Sequence, residues 1–449
     1  MLSFKNLINI SRKLDSLHTQ GGILTRRLFL PDPIQGTIEL PFWLMNIMDE
    51  PPVRRMMFIR QLGLKAYVDF PGAIHTRFSH ALGTMQTAGT LVDLLFDKMK
   101  DKGRKKVAKN LERNKNNLMA AGFLHDIGHG PFSHVLDFIL RKLYGKTHEQ
   151  MAEDIIRNTL PSEIEDWGIA QNSIIQMIKA NHNNPFLGEI INGPIDADKL
   201  DYLLRDAYHV GLRYSFDLDH FLRSFTVLGD ENDLKQCTLG LDSTKKAIVT
   251  AELFIVIWKS MYDLVYHSED SRIAEKMLEK AILQSKDEES IKKALQVGNF
   301  LELNDERLLS LIENAESNIG HLLAVKDTKK LYQIFFEEKF EQSRFEMTTK
   351  FLDKMENDPE ELSEQLSLQL NESFDKEDYM LICDIVRSKA PGEIYLDESS
   401  EGEQIELRSK SKLIGAIGAD NILKVYADPQ LKDLKGRIKK TIKDLIRGN

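Results

Sequence analysis

The sequence predicts a mainly α protein, with a large helical core and a smaller α+β C-terminal lobe. Two observations predict it. Residues 37–320 carry helical periodicity with short Gly/Pro punctuation, as in Leu82, Met85, Leu91 and Leu94 after the Pro71-Gly72 turn, and strand-like alternation is scarce there. Further on the character changes. Residues 329–378 read as long, acidic, amphipathic helices, and EIYLDE, EQIELRS and ILKVYAD read as short strands separated by Pro391-Gly392 and the DESSEGE loop. The expected division is an N-terminal helix over 1–22, a core over 23–325 and a C-terminal lobe over 326–449, ending in an amphipathic helix that begins near Leu431.

Composition narrows the class. Among 449 residues, 60 Lys and Arg face 69 Asp and Glu, a net charge of −9, which argues against a chain built mainly to coat nucleic acid or anionic lipid. With 42% hydrophobic and 29% charged residues the chain reads as globular. Cys237 and Cys383 make neither a disulfide framework nor a paired CxxC zinc site. No apolar run approaches the roughly 18 residues of a membrane span, so the expectation is a cytoplasmic protein with no membrane association. Two basic stretches, 98–115 and 430–449, break the acidic balance. Without interleaved aromatics they read as solvated faces, and nucleic-acid binding is open but unsupported.

Seven of the twelve histidines fall between His75 and His182, which places the chemistry in the first half. His80, the adjacent His125-Asp126 and Asp198 form a mixed nitrogen and oxygen set suited to a divalent ion such as Mn, Fe, Mg, Ni or Zn. His129 follows His125 by four residues, Pro131 breaks the helix, and His134 with Asp137 opens the next one. His148-Glu149 follows Thr147 at a further helix start, so Asp137 or Glu149 can orient an imidazole as general acid or base. Lys199, Tyr202 and Asp206 share one face of a predicted helix, as a phosphorylated sugar would require, and Asp201 with Arg205 reads as an ordinary i, i+4 ion pair.

His80 in HTRFSHALG, His125-Asp126 in GFLHDIGHGPFSH and Asp198 in DADKLDYLLRD resemble the H…HD…D pattern of the HD-domain superfamily. The order and spacing of DPIQGTIEL, IRQLG, FPGAIHTRFSH, GHGPFSH and THE resemble the deoxynucleoside triphosphate triphosphohydrolases of the sterile-alpha-motif-and-HD type over roughly residues 30–275, the shorter microbial members being the closer comparison. The resemblance implies a divalent metal on His80, His125, Asp126 and Asp198. It implies catalytic roles for His129, His134, Asp137, His148 and Glu149. It gives Arg77, Lys199 and Tyr202 to the triphosphate, Gln61 and Asp206 to the sugar 3′-hydroxyl, and Leu62 and Tyr266 to the side where a 2′-hydroxyl would clash. The implied reaction cleaves a dNTP to deoxynucleoside and inorganic triphosphate, in a homo-oligomer, tetramer or dimer. The alternatives are another HD phosphohydrolase acting on a nucleoside monophosphate, a cyclic nucleotide or a nucleic-acid end, and a non-catalytic HD protein that binds nucleotide or nucleic acid. In the animal members a guanine nucleotide bound between subunits promotes activity. Here Asp49 is kept, but Arg54, Met57, Leu28 and Pro31 stand where that nucleotide's other contacts would be, so GTP is not expected to be obligatory.

Overall fold

A hairpin of β1 (Leu28–Asp32) and β2 (Gly36–Leu40) comes first, paired in register from Leu28 opposite Leu40 to Asp32 opposite Gly36. Its turn is made by the Asp32 carboxylate, which accepts from the backbone N–H of Ile34 (2.9 Å) and Gln35 (2.8 Å). The computed structural model describes residues 28–447 except 161–167, 297–298, 316–327, 341–348, 378, 388–391, 399–402 and 419–420. The helix expected over 1–22 and most of the DESSEGE loop lie outside the described residues.

The core is helical. Thr76 and Ser79 form a capping box that opens α1 (Arg77–Asp101), and α2 (Lys105–Leu124) folds back against it. There follow α3 (His134–Tyr144), α4 (His148–Asn158) with a second capping box from Thr147, and α5 (Ala197–Val210), started by the Asp196 side chain. After β3 (Phe225–Leu228) and β4 (Thr238–Asp242) come α6 (Lys245–Met261), continued by one wider π-turn at Tyr262–Tyr266, and α7 (Glu269–Ser285). Trp43, Leu91, Phe123, Ile127, Leu200 and Phe221 are among the fully enclosed side chains that these elements share.

The C-terminal part contains β5 (Gln333–Phe340), α8 (Pro359–Ser373), β6 (Leu381–Arg387), β7 (Tyr395–Glu398), β8 (Glu403–Glu406), β9 (Asn421–Ala427) and α9 (Lys435–Arg447). The strands order β5-β9-β6 in one antiparallel sheet and β3-β4-β7-β8 in another, where β4 and β7 run parallel, so the second sheet takes strands from either side of residue 325. The strands expected at EIYLDE, EQIELRS and ILKVYAD form, but residues 333–340 are a strand and not part of a long helix. Partners about ninety residues downstream settle that choice, which a local pattern cannot. LICDIVR in β6 and FTVL in β3 are buried almost throughout, so they lack the alternation that marks a half-exposed strand.

One edge of the three-stranded sheet is closed by a helix. Ser363, Ser367 and Asn371, at i, i+4 and i+8 on α8, accept from the backbone N–H of Ile385 (3.0 Å), Cys383 (2.8 Å) and Leu381 (3.0 Å) on β6. Arg272 of α7 pairs with Asp384 (2.6 Å), which also accepts from the Tyr426 hydroxyl (2.9 Å), tying this sheet to the core. Several cations of the basic 98–115 stretch are paired within the molecule: Lys98 holds Asp242 (2.7 Å) and the Phe225 carbonyl (2.7 Å), Lys102 holds Asp397 (2.9 Å), and Lys115 holds Asp93 (2.6 Å). Both cysteines are free and buried, and no described helix is long and apolar enough to cross a membrane.

Candidate metal centre and active site

Three elements deliver three ligand atoms to one point. His80 comes from the first turn of α1, His125 caps the end of α2, and Asp198 sits in the first turn of α5. His80 Nε2 lies 3.3 Å from His125 Nε2 and 3.0 Å from Asp198 Oδ1, which is 3.5 Å from His125 Nε2. Such spacings suit atoms that surround one small cation. The far ring nitrogens are engaged: His80 Nδ1 with Asp201 Oδ2 (3.0 Å) and His125 Nδ1 with the Gly122 carbonyl (2.8 Å), so both Nε2 atoms face the shared point. Asp126 is adjacent, 3.3 Å from His125 Nε2 and 3.8 Å from His80 Nε2. Burial opposes a charge on His80, yet the hydrogen bonds it donates to Asp198 and Asp201 outweigh it and raise its pKa to about 10. A cluster that so favours positive charge is matched by a divalent ion, and the donor set fits one.

Behind His80 lies a layer that residue types alone did not assign. Asp201 accepts Nε and Nη2 of Arg205 (2.7 and 2.9 Å) while holding His80, Arg205 also grips Asp32 (2.8 Å), and the Gln35 amide reaches Asp201 (2.9 Å) and Thr87 (3.0 Å). The i, i+4 pair expected on α5 forms and also holds His80, and the DPIQG turn buttresses it through Asp32 and Gln35. Only glycine fits at 83 on the facing helix, since a Cβ there would stand 1.9 Å from Asp201 Oδ1.

Beyond Asp126 the imidazoles of His129 and His148 stack at 4.0 Å with 16° between their planes. Asp137 Oδ2 is 2.9 Å from His148 Nδ1 and 3.5 Å from His129 Nδ1, and Glu149 is 3.2 Å from His148 Nε2. His129 does not share a helical face with His125, because α2 ends at Leu124 and a turn carries the chain on. It still comes within 3.4 Å of Asp126. Arg55 shapes that turn by donating to the carbonyls of Ile127 (2.9 Å) and His129 (2.7 Å). Burial and the Arg77 charge lower the His129 pKa to about 4, whereas for His148 burial is overcome by the bond to Asp137 and the pKa is raised. Two stacked rings whose pKa values are pushed in opposite directions suit an acceptor at His129 beside a proton donor at His148.

Arg77 pairs with Asp126 and donates to Ser133 Oγ (2.7 Å), where the backbone is strained: Phe132 and Ser133 hold φ of 55° and 45° in succession. Asp305 pins the strained loop, accepting from Phe132 N (3.1 Å) and Arg60 N (2.9 Å). His134 opens α3 with an exposed side chain, near Asp137 in sequence but outside the stacked pair.

On the other flank, Tyr202 meets His80 edge-on at 6.4 Å and Tyr266 at 5.9 Å, and the Tyr266 hydroxyl donates to Asp206 Oδ2 (2.7 Å). The π-turn carries both Tyr262 and Tyr266 to this cluster, their rings 5.0 Å apart. His75 Nε2 is 2.6 Å from Asp206 Oδ1, and Gln61, beside the buried Leu62, has a buried Oε1 with no partner among the described residues. Lys199 turns away, donating to Asp196 (2.6 Å) and the Gly193 carbonyl (2.9 Å). Asp49 is paired with Arg54 (3.1 Å).

An HD domain is matched over residues 77–220 and an HD associated region over 231–444. An uncharacterized protein of Methanocaldococcus jannaschii is 31% identical over 67% of this chain and 58% of its own length. The human deoxynucleoside triphosphate triphosphohydrolase SAMHD1 is 34% identical over 52% of this chain and 40% of its own. The chain thus spans about half the length of the curated relatives it matches. A crystal structure of a hypothetical protein from Aquifex aeolicus shares the fold at a TM-score of 0.70 and 24% identity, covering 92% of this chain and all of that one.

Proposed function

Because the chain belongs to the HD-domain family, whose members are metal-dependent phosphohydrolases, we propose that it cleaves deoxynucleoside triphosphates to a deoxynucleoside and inorganic triphosphate. The observation that carries this reading is a continuous row of side chains. It runs from the His148 and His129 rings through Asp126, His125, His80 and Asp198 to Tyr202, Tyr266 and Asp206. The row offers in turn proton transfer, a metal and a hydroxyl-binding carboxylate, as a nucleotide cut between sugar and α-phosphate requires.

In this reading His80, His125, Asp126 and Asp198 hold the metal, which when bound supplies Lewis-acid stabilisation of the phosphoryl charge and activation of water. His148, its pKa raised and its ring steadied by Asp137 and Glu149, gives a proton to the departing 5′-oxygen, either directly or through His134, and the neutral His129 accepts one. Arg77 and Lys199 exchange their internal carboxylate partners for the triphosphate. Asp206 and Gln61 receive the 3′-hydroxyl, and Tyr266 with Leu62 fills the space of a 2′-hydroxyl. The working unit is a homo-oligomer, a dimer or tetramer. An exposed apolar row along α6 and the π-turn that continues it, Val249, Leu253, Val256 and Leu264, supports that, and sedimentation would check it. The division at 325/326 stays part of the proposal.

Incubating the protein with each dNTP and NTP in Mg²⁺ or Mn²⁺ and separating the products tests the reaction. Inorganic triphosphate released from dNTPs alone is the expected result. Pyrophosphate or orthophosphate as the first product would place the protein among other HD phosphohydrolases.

A further inference from the structure

The Asp206 carboxylate is clamped from both sides, by Tyr266 on Oδ2 and by His75 on Oδ1. His75 is 5% exposed, and its ring lies on that of His209 at 4.3 Å with 13° between planes, which leaves it one orientation. Nε2 donates to the carboxylate whatever the charge on the ring. Nδ1, by contrast, is buried with no hydrogen-bond partner among the described residues. Enclosing an imidazole with one nitrogen unmatched costs stability, and an apolar or doubly bonded residue would serve packing better. The main chain of His75 contributes as well, since its carbonyl accepts the Gln61 N–H (3.0 Å), next to the pairing of Arg60 with Thr76.

We propose that His75 is a positioning residue for the sugar end of the site, fixing the Asp206 carboxylate through its side chain and Gln61 through its main chain so that both meet the 3′-hydroxyl in one register. A carboxylate with a donor on each oxygen cannot swing about its own bond, and its remaining lone pairs stay aimed where the hydroxyl arrives. With His75 lost, Tyr266 alone leaves that plane free to turn. The inference rests on the dNTP reading given above.

The test compares a dNTP with the matching 2′,3′-dideoxynucleoside triphosphate, which lacks the hydroxyl that Asp206 would hold. In His75→Ala, kcat/KM on the dNTP should fall roughly 10- to 100-fold while the dideoxy substrate is turned over nearly as by the wild type, so discrimination collapses. His75→Gln, whose amide N–H can stand in for Nε2–H, should recover most of the loss. His75→Asn, too short to reach Asp206 but still polar, should behave as His75→Ala and serves if the alanine variant does not fold. Equal losses on both substrates, or no recovery in a folded His75→Gln, overturn the inference while leaving the dNTP reading intact. A wild-type protein that cleaves neither substrate overturns both.

Discussion

Asp201 shows how a single residue can matter without touching the reacting atoms. It holds His80 on one side and Arg205 on the other, so Asp201→Asn should weaken metal binding by roughly 10- to 100-fold while the chain stays folded, as metal content after dialysis would report. Gly83→Ala should do the same from across the gap, by pushing Asp201 aside. Undiminished metal in both variants would remove Asp201 from the centre's support. His125→Ala should lose metal and hydrolysis together, whereas His134→Ala, which is not one of the His80, His125 and Asp198 set, should keep its metal. Asp49 carries a further prediction: its partner Arg54 already satisfies it, so dNTP hydrolysis should proceed without GTP, and activity that waits for GTP and is abolished by Asp49→Ala would contradict this. At this scale the sequence was informative wherever a motif binds an atom directly. His80, His125 and Asp198 do come together, but the roles of Asp201, Arg205, Gln35 and His75 were hidden, because a side chain that orients another looks like any ion pair or core histidine until the partner's place is known.

Helices of the core were legible because they bury one face and several are opened by a cap of their own, as Thr76, Thr147 and Asp196 show. Strands were not. β5 and β9 lie far apart in the chain, and β6 has no polar face to alternate with its apolar one. The Ser363, Ser367 and Asn371 row on α8 looks from sequence like a weak amphipathic face, and its use depends wholly on β6. Ser367→Ala leaves the Cys383 N–H buried without an acceptor, so it should cost about 1–3 kcal/mol in unfolding free energy, against near zero for the exposed Ser373→Ala. Equal stability of the two variants in denaturant titrations would show that α8 merely lies on the sheet.

Across the whole molecule, histidines outside the centre set an acid limit. Burial, with the charges of Arg272 and Lys65, lowers His267 to about 4, and burial, with His75 and Arg205, lowers His209 to about 4, both from 6.5. Between those values the unfolded chain binds more protons than the folded one, so stability is full above about 6.5 and falls as pH drops toward 4. His267→Gln should flatten the dependence of unfolding temperature on pH in that window, and an unchanged slope would exclude His267 as a cause. No composition or periodicity could have announced this, because burial of a given histidine is a property of the finished packing.

The order of β5-β9-β6 bears on how the protein is made. β9 is the middle strand and the last of the three to leave the ribosome. Until residue 427 exists, β5 has no neighbour, whereas β6 follows closely on α8 and can already rest its amides on that helix's hydroxyls. Synthesis therefore passes through an interval in which one strand with a buried Phe-rich face waits with both edges bare, the circumstance in which nascent chains find wrong partners. A chain halted before Asn421 would lose the whole three-stranded sheet and not merely its final strand.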